Sequence, residues 1–231
     1  MAELIVALDV PSPDAVPPVL ATLGGTVGWY KIGLELFCAG GPAVVESVAG
    51  AGKRIFLDLK LHDIPRTVAR AVTAAARLRV ELMTLHAAGG RAMIAAAAEA
   101  ARACPADQRP KLLAVTMLTS LEQADLDDLG IGRAMPDQVA ALATMALESG
   151  ADGVVCSPRE VGQLRTLLPS GALLVTPGVR PAGTATGDQK RVATPGAAVR
   201  DGATHLVVGR PILEAPDPAG AACAILAEMR A

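Results

Sequence analysis

A chain of 231 residues that is 52% hydrophobic, 2% aromatic and 19% charged has the apolar content of a globular protein and the length of one complete eight-stranded α/β barrel, so a single domain over 1–231 accounts for it. Its formal net charge of −2 creates no overall basic field, and no basic run stands out, which argues against a nucleic-acid partner. Apolar runs stay short of membrane-spanning length, since even the Ala-rich stretch after Arg91 is broken by Glu99, so no membrane partner is expected.

The amino terminus enters a strand-like run, Leu4-Ile5-Val6-Ala7-Leu8, flanked by Glu3 and Asp9 with no basic segment before it. That is not a signal-peptide pattern, and a cytoplasmic protein is expected. Short apolar runs of this kind recur, each followed by a longer amphipathic or Ala-rich stretch. In chain order the pattern predicts strands near 4–9, 28–33, 54–59, 81–86, 111–116, 152–156, 172–176 and 204–208. Helices are predicted near 13–23, 39–50, 65–78, 90–102, 136–149, 158–168 and 195–201, with one more after 211. Gly50, Gly52, Gly150 and Gly202 fall at helix-to-strand joints, where a left-handed cap favours glycine. The segments 149–155 and 201–207 echo one another, as repeated joints would. Two longer connections, 116–136 and 176–195, break the rhythm and are candidates for functional loops.

This alternation is the signature of βα units. A doubly wound open sheet would produce much the same pattern, but eight strands in this length favour a (β/α)8 TIM barrel. The residues after strand one, Asp9-Val10-Pro11-Ser12-Pro13-Asp14, lack the glycine turn that a dinucleotide requires. Cys38, Cys104, Cys156 and Cys223 form no CxxC pair, and His62, His86 and His205 form no HxxxH or HExxH motif, so no metal site is expected from them.

The most informative stretch is Phe56-Leu57-Asp58-Leu59-Lys60-Leu61-His62-Asp63-Ile64-Pro65. Side chains alternate along a strand, so Asp58 and Lys60 share one face and Leu57, Leu59 and Leu61 the other. Charges at the end of an apolar strand are costly unless paired, and the carboxyl ends of barrel strands carry catalytic groups. A buried ion pair that merely satisfies itself is the alternative. Against it stand Asp9 at the end of strand one and Lys31 in Trp29-Tyr30-Lys31-Ile32-Gly33. Strands one to three are neighbours in a barrel, so acids and lysines can alternate around a common site, where each carboxylate favours the ammonium form of the lysine beside it.

Phosphate sites in such barrels lie in the loops after strands seven and eight. Here those loops read Thr176-Pro177-Gly178-Val179-Arg180-Pro181 and Val208-Gly209-Arg210-Pro211-Ile212. Each joins a glycine, which allows close backbone approach, to an arginine whose planar fork suits phosphate oxygens. Pro211 suits the first turn of a helix. The polar segment 183–190, containing Gln189, is long enough to act as a lid.

With these residues in place, the chain closely resembles the bacterial-type orotidine 5'-monophosphate decarboxylases, from Ala7-Leu8-Asp9 to Gly209-Arg210-Pro211. The resemblance is carried by Lys31-Ile32-Gly33, the run from Asp58 to Pro65, Leu118-Thr119-Ser120, Thr176 to Pro181, Gly187-Asp188-Gln189 and Gly209-Arg210-Pro211. It implies decarboxylation of orotidine 5'-monophosphate to UMP without a cofactor or metal. It makes Lys60 the proton donor, sets Asp58 against the substrate carboxylate, and gives Lys31 and Asp9 the ribose and the orientation of the charged network. Thr119 is implied to contact the pyrimidine, and Arg180, Gln189, Gly209 and Arg210 to hold the phosphate. The whole run Asp58, Leu59, Lys60, Leu61, His62, Asp63, Ile64, Pro65, Arg66 and Thr67 is implied to surround the substrate. Asp63, counted among the catalytic residues with Lys60, Asp58 and Lys31, would act with Thr67 in the site of a partner subunit, which implies a homodimer. One departure is Arg66, where the family commonly has Asn. The nearest rival is a metal-dependent sugar-phosphate decarboxylase or aldolase with the same Asp-x-Lys-x-x-Asp spacing. A non-catalytic nucleotide-binding barrel is the other alternative.

Overall fold

A computed structural model of the chain describes residues 2–181 and 193–231. Among the described residues, β1 (Glu3–Ala7), β2 (Trp29–Gly33), β3 (Arg54–Leu61), β4 (Leu82–His86), β5 (Lys111–Val115), β6 (Gly153–Val155), β7 (Leu173–Thr176) and β8 (His205–Val208) form a closed barrel in sequence order. Every neighbouring pair is parallel, and β8 closes on β1 through Glu3↔His205 to Val6↔Val208. The (β/α)8 expectation holds.

Helices surround the strands: α1 (Val16–Leu23), α2 (Leu34–Gly40), α3 (Pro42–Gly50), α4 (Pro65–Ala76), α5 (Gly90–Arg102), α6 (Gln123–Asp128), α7 (Met135–Glu148), α8 (Val161–Leu167), α9 (Pro195–Arg200), α10 (Arg210–Leu213) and α11 (Pro218–Glu228). Three details differ from the sequence reading. The helix expected over 39–50 is two helices, interrupted at Gly41, with Pro42 opening the second. The expected loop 116–136 contains α6, whose start is closed by reciprocal bonds between Glu122 and Asp125. Its one buried residue is Leu126, so it carries no apolar periodicity to betray it. Gly50 is the last residue of α3 rather than a left-handed cap, whereas Gly150 (φ +100°) and Gly202 (φ +107°) do take the conformation that a side chain disfavours. The echoing segments are therefore equivalent αβ joints.

Alternation along the strands builds two apolar layers. Ile5, Ala7, Trp29, Phe56, Leu82, Leu113, Val175 and Val207 fill the barrel interior. The intervening residues, among them Val6, Tyr30, Ile32, Leu57, Met83 and Leu85, pack outward against the helices. Small side chains such as Ala97, Ala98 and Ala101 let α5 lie close to the strands.

The barrel floor, at the amino ends of the strands, carries its own polar cluster. Arg54 stacks 4.0 Å over the Trp29 ring and forks onto Glu81, with its closest contact at 2.7 Å. His205 meets Trp29 edge-on at 5.7 Å, and its Nδ1 lies 2.9 Å from Thr204 Oγ1. Burial, reinforced by the nearby Arg54 and Lys111 charges, pushes the imidazole of His205 down from 6.5 to about 4. Between about pH 4 and 6.5 the folded state thus holds His205 neutral while the unfolded chain protonates it. The stabilisation is complete above about pH 6.5 and is lost as pH falls toward 4, to the extent of about 3 kcal/mol. Urea unfolding at pH 7.5 and 4.5 is expected to show a smaller acid loss in His205→Leu than in the parent. Equal losses would remove His205 as a cause.

Candidate active site

Above the apolar interior layer, the next inward positions are polar on four consecutive strands. Asp9 lies two residues beyond Ala7, Lys31 beyond Trp29, Asp58 beyond Phe56 and Thr84 beyond Leu82. These side chains converge at the carboxyl end of the barrel. Lys31 Nζ donates to Asp9 Oδ1 at 3.1 Å and lies 3.7 Å from Asp58 Oδ2. Lys60 Nζ donates to both Asp58 oxygens, at 2.9 and 3.0 Å. The result is a continuous acid–base series, Asp9–Lys31–Asp58–Lys60. Asp58 is its most enclosed carboxylate, with 12% of its side chain exposed against 54% for Asp9. A carboxylate so placed is tolerable because cations meet it on two sides.

The backbone bends to make this series. Lys60 has φ +49°, a conformation costly to a residue with a Cβ. The β3–β4 register slips between Leu57↔Met83 and Leu61↔Leu85. Two motif glycines make room for the charged heads. A Cβ at Gly33 would lie 2.9 Å from Lys31 Nζ, and one at Gly209 would lie 3.0 Å from Asp9 Oδ2. The close approach expected of Gly209 is therefore made, within this chain, to the site's own Asp9 carboxylate.

A cavity of about 200 Å³ opens beside the series, lined by Lys31, Phe56, Asp58, Lys60, Val115, Met117, Leu118, Thr119, Val155, Cys156, Pro177 and Val207. Charges occupy one wall and apolar side chains the rest. A larger depression of about 430 Å³ lies at the floor, around Trp29, Arg54, Glu81 and His205. It is remote from the lysine–aspartate series, and we place the chemistry in the smaller cavity because the convergent ammonium and carboxylate groups are there.

The other expected residues lie in several different places. Thr119 shares the cavity with Lys31, Asp58 and Lys60. Arg180 and Arg210 follow β7 and β8, which are neighbours. The Arg180 N–H donates to Ala193 O at 3.0 Å and its Nη1 to Val179 O at 2.9 Å. Arg210 is exposed at the start of α10, with Pro211 in the first turn as expected. Leu59 and Leu61 pack on the outer, helix-facing layer. His62, Asp63, Ile64, Pro65, Arg66 and Thr67 are exposed at the rim, where the Asp63 carboxylate accepts the Ile64 N–H at 2.7 Å. Within this chain Asp63 does not join the ion-pair series among the described residues. Gln189 and the lid segment 183–190 lie outside the described residues.

Sequence reading missed Thr84 and missed His86, whose ring pairs with that of the expected His62. The two imidazoles stack at 5.2 Å. Burial, then the His62 ring and the Lys60 ammonium, lower the pKa of His86 from 6.5. The only local sign of Thr84 was one hydroxyl within the apolar run Leu82-Met83-Thr84-Leu85.

Comparison with known proteins matches this geometry to one family. Residues 2–225 fit the model of the orotidine 5'-phosphate decarboxylase / HUMPS family. The orotidine 5'-phosphate decarboxylase of Opitutus terrae is 50% identical over 230 residues, covering 99% of this chain and 98% of that one. The enzyme of that name from Rhodopseudomonas palustris is 51% identical, covering 98% and 94%. The crystal structure of orotidine 5'-phosphate decarboxylase from Lactobacillus acidophilus superposes with a TM-score of 0.89 at 42% identity, over 100% of both chains. Full-length similarity at this level, together with a lysine–aspartate series at the mouth of the same barrel, means that the chain belongs to the orotidine 5'-phosphate decarboxylase / HUMPS family.

Proposed function

We propose that this protein decarboxylates orotidine 5'-monophosphate to UMP and carbon dioxide in pyrimidine biosynthesis, with Lys60 as the proton donor. The observation that carries the reading is the Asp9–Lys31–Asp58–Lys60 series along one wall of the cavity that also holds Thr119. The C6–carboxylate bond breaks heterolytically, carbon dioxide leaves, and the electron pair stays on C6 in the ring plane, poorly conjugated with the ring. Preorganised charge is what can stabilise such a pair. The Lys60 ammonium supplies both the charge and the proton that ends on C6; the lysine then recovers its proton from solvent. Asp58 holds Lys60 and crowds the substrate carboxylate in the ground state. Lys31 and Asp9 take the ribose and Thr119 the pyrimidine. Arg180, Gln189, Gly209 and Arg210 take the phosphate, whose remote binding supports the strained arrangement at C6.

The same reading makes the active form a homodimer. Support comes from the rim, where Ile64 is 66% exposed beside Asp63 and Thr67, which have no role in their own chain's ion-pair series. A cytoplasmic location suits such a biosynthetic enzyme; no described helix is long and apolar enough to cross a membrane.

The family model also covers HUMPS proteins, so the metal-dependent rival is the reading to separate. Purified protein is expected to consume orotidine 5'-monophosphate, followed by the change in absorbance, and to keep its rate after EDTA treatment. Loss of the rate with EDTA and recovery with a divalent cation would favour the rival.

A further inference from the structure

We infer that Thr84 is a positioning residue whose hydroxyl fixes Lys60 and Asp58 relative to one another, an inference that rests on the decarboxylase reading. Thr84 sits in the middle of β4 with 0% of its surface exposed. Its Oγ1 accepts the backbone N–H of Lys60 at 2.8 Å and donates to Asp58 Oδ1 at 2.9 Å. Asp58 Oδ1 is also the closest partner of Lys60 Nζ, at 2.9 Å. One hydroxyl thus closes a small circuit through the backbone of the proton donor, the carboxylate that holds it, and the ammonium itself.

The register explains why a side chain is needed there. Between Leu57↔Met83 and Leu61↔Leu85 the chain advances past Asp58, Leu59 and Lys60 on β3 but past Thr84 alone on β4. The backbone ladder is interrupted over this stretch, as in a bulge, and the Lys60 N–H turns to the Thr84 hydroxyl. That bond holds Lys60 at φ +49°, a conformation that persists only when its surroundings over-determine it. The second bond takes the only proton of the Thr84 hydroxyl and aims it at the carboxylate, which limits Asp58 to the rotamer that serves Lys60. A threonine that merely satisfied itself in the strand would bond a neighbouring carbonyl. This one touches no reacting atom yet bonds both groups that do.

The test compares Thr84→Val, which keeps the shape and removes both bonds, with Thr84→Ser, which restores a hydroxyl. Parent and variants are assayed for kcat and KM with orotidine 5'-monophosphate and titrated with UMP. Misplacement of a reacting group by about 1 Å costs about 10²-fold, so Thr84→Val is expected to lose about that in kcat. Its KM and UMP affinity should stay within about threefold, since the ribose and phosphate contacts remain. Thr84→Ser is expected to return to within about fivefold of the parent, because either hydroxyl can donate and accept. Should Thr84→Val fail to fold, Thr84→Cys, of similar size but a weak hydrogen bonder, is expected to lose about tenfold in kcat. The inference is overturned if the parent turns over the substrate while Thr84→Val, or Thr84→Cys in its place, keeps its kcat. It is equally overturned if kcat and UMP binding fall together and Thr84→Ser does not recover. A parent that does not consume the substrate fails the decarboxylase reading itself, and this inference with it.

Discussion

Lys60→Ala is expected to lose at least about 10⁴-fold in decarboxylation rate, because on the proposed mechanism it removes in one step the general acid and the cation facing the developing carbanion. Lys60 Nζ is held 2.9 and 3.0 Å from the two oxygens of Asp58, so the ammonium is fixed before substrate arrives and needs no reorganisation during the reaction. Truncation also leaves the Asp58 carboxylate, among the described residues, with the Thr84 hydroxyl and, as its one nearby cation, Lys31 at the longer distance of 3.7 Å. The substrate carboxylate would then face an acid whose partner is gone. Stopped-assay rates of parent and variant, with circular dichroism to confirm folding, check the result. Comparable rates in a folded variant would end the assignment of Lys60 as proton donor.

The second large effect concerns Asp63. Its carboxylate is exposed and bonds only the adjacent Ile64 N–H among the described residues, yet the family resemblance implies a catalytic role for it in the site of a partner subunit. Asp63→Ala is therefore expected to lose about 10²-fold or more in kcat, as removal of a charged group from a preorganised site does. Mixing denatured Asp63→Ala with denatured Lys60→Ala and refolding the pair gives a sharper outcome. In a mixed dimer one site receives Lys60 from one chain and Asp63 from the other, so it is native, while the second site lacks both. Random pairing puts half the molecules in mixed dimers, and activity is expected to rise to about one quarter of the parent level. A mixture no more active than its components would place Asp63 outside the partner's site.

Much of the architecture is legible in the sequence because its causes are local. Each expected strand lies within two residues of an observed one at either end. A short apolar run rich in Val, Ile and Leu, set between a turn signal and an amphipathic stretch, reads as a strand buried on both faces. Where local pattern was thin, the reading failed. α6 has one buried residue, so its helix is specified by the Glu122–Asp125 bonds and not by an apolar stripe. The interruption at Gly41 falls in Gly40-Gly41-Pro42, a breaker signal that the expected single helix over 39–50 passed over.

The candidate site divides the same way. Acids and lysines at the ends of apolar strands already marked a costly and therefore purposeful arrangement, and Asp58 and Lys60 were expected on one face. Alternation alone did not specify how they meet. A β-bulge, a left-handed Lys60 and the hydroxyl of Thr84 do so, and each depends on β4, more than twenty residues further along the chain.

Taken alone, the sequence determined the eight βα units, the residue types at the strand ends and the two glycine–arginine loops, since periodicity and composition fix these over a few residues. Only the tertiary structure decided that Asp9, Lys31, Asp58 and Lys60 form one ion-pair series, that Gly209 borders Asp9 and that Thr84 bonds both Lys60 and Asp58. Apart from the Asp58–Lys60 pair on one strand, those contacts join segments far apart in the chain, and only closure of the barrel brings them together.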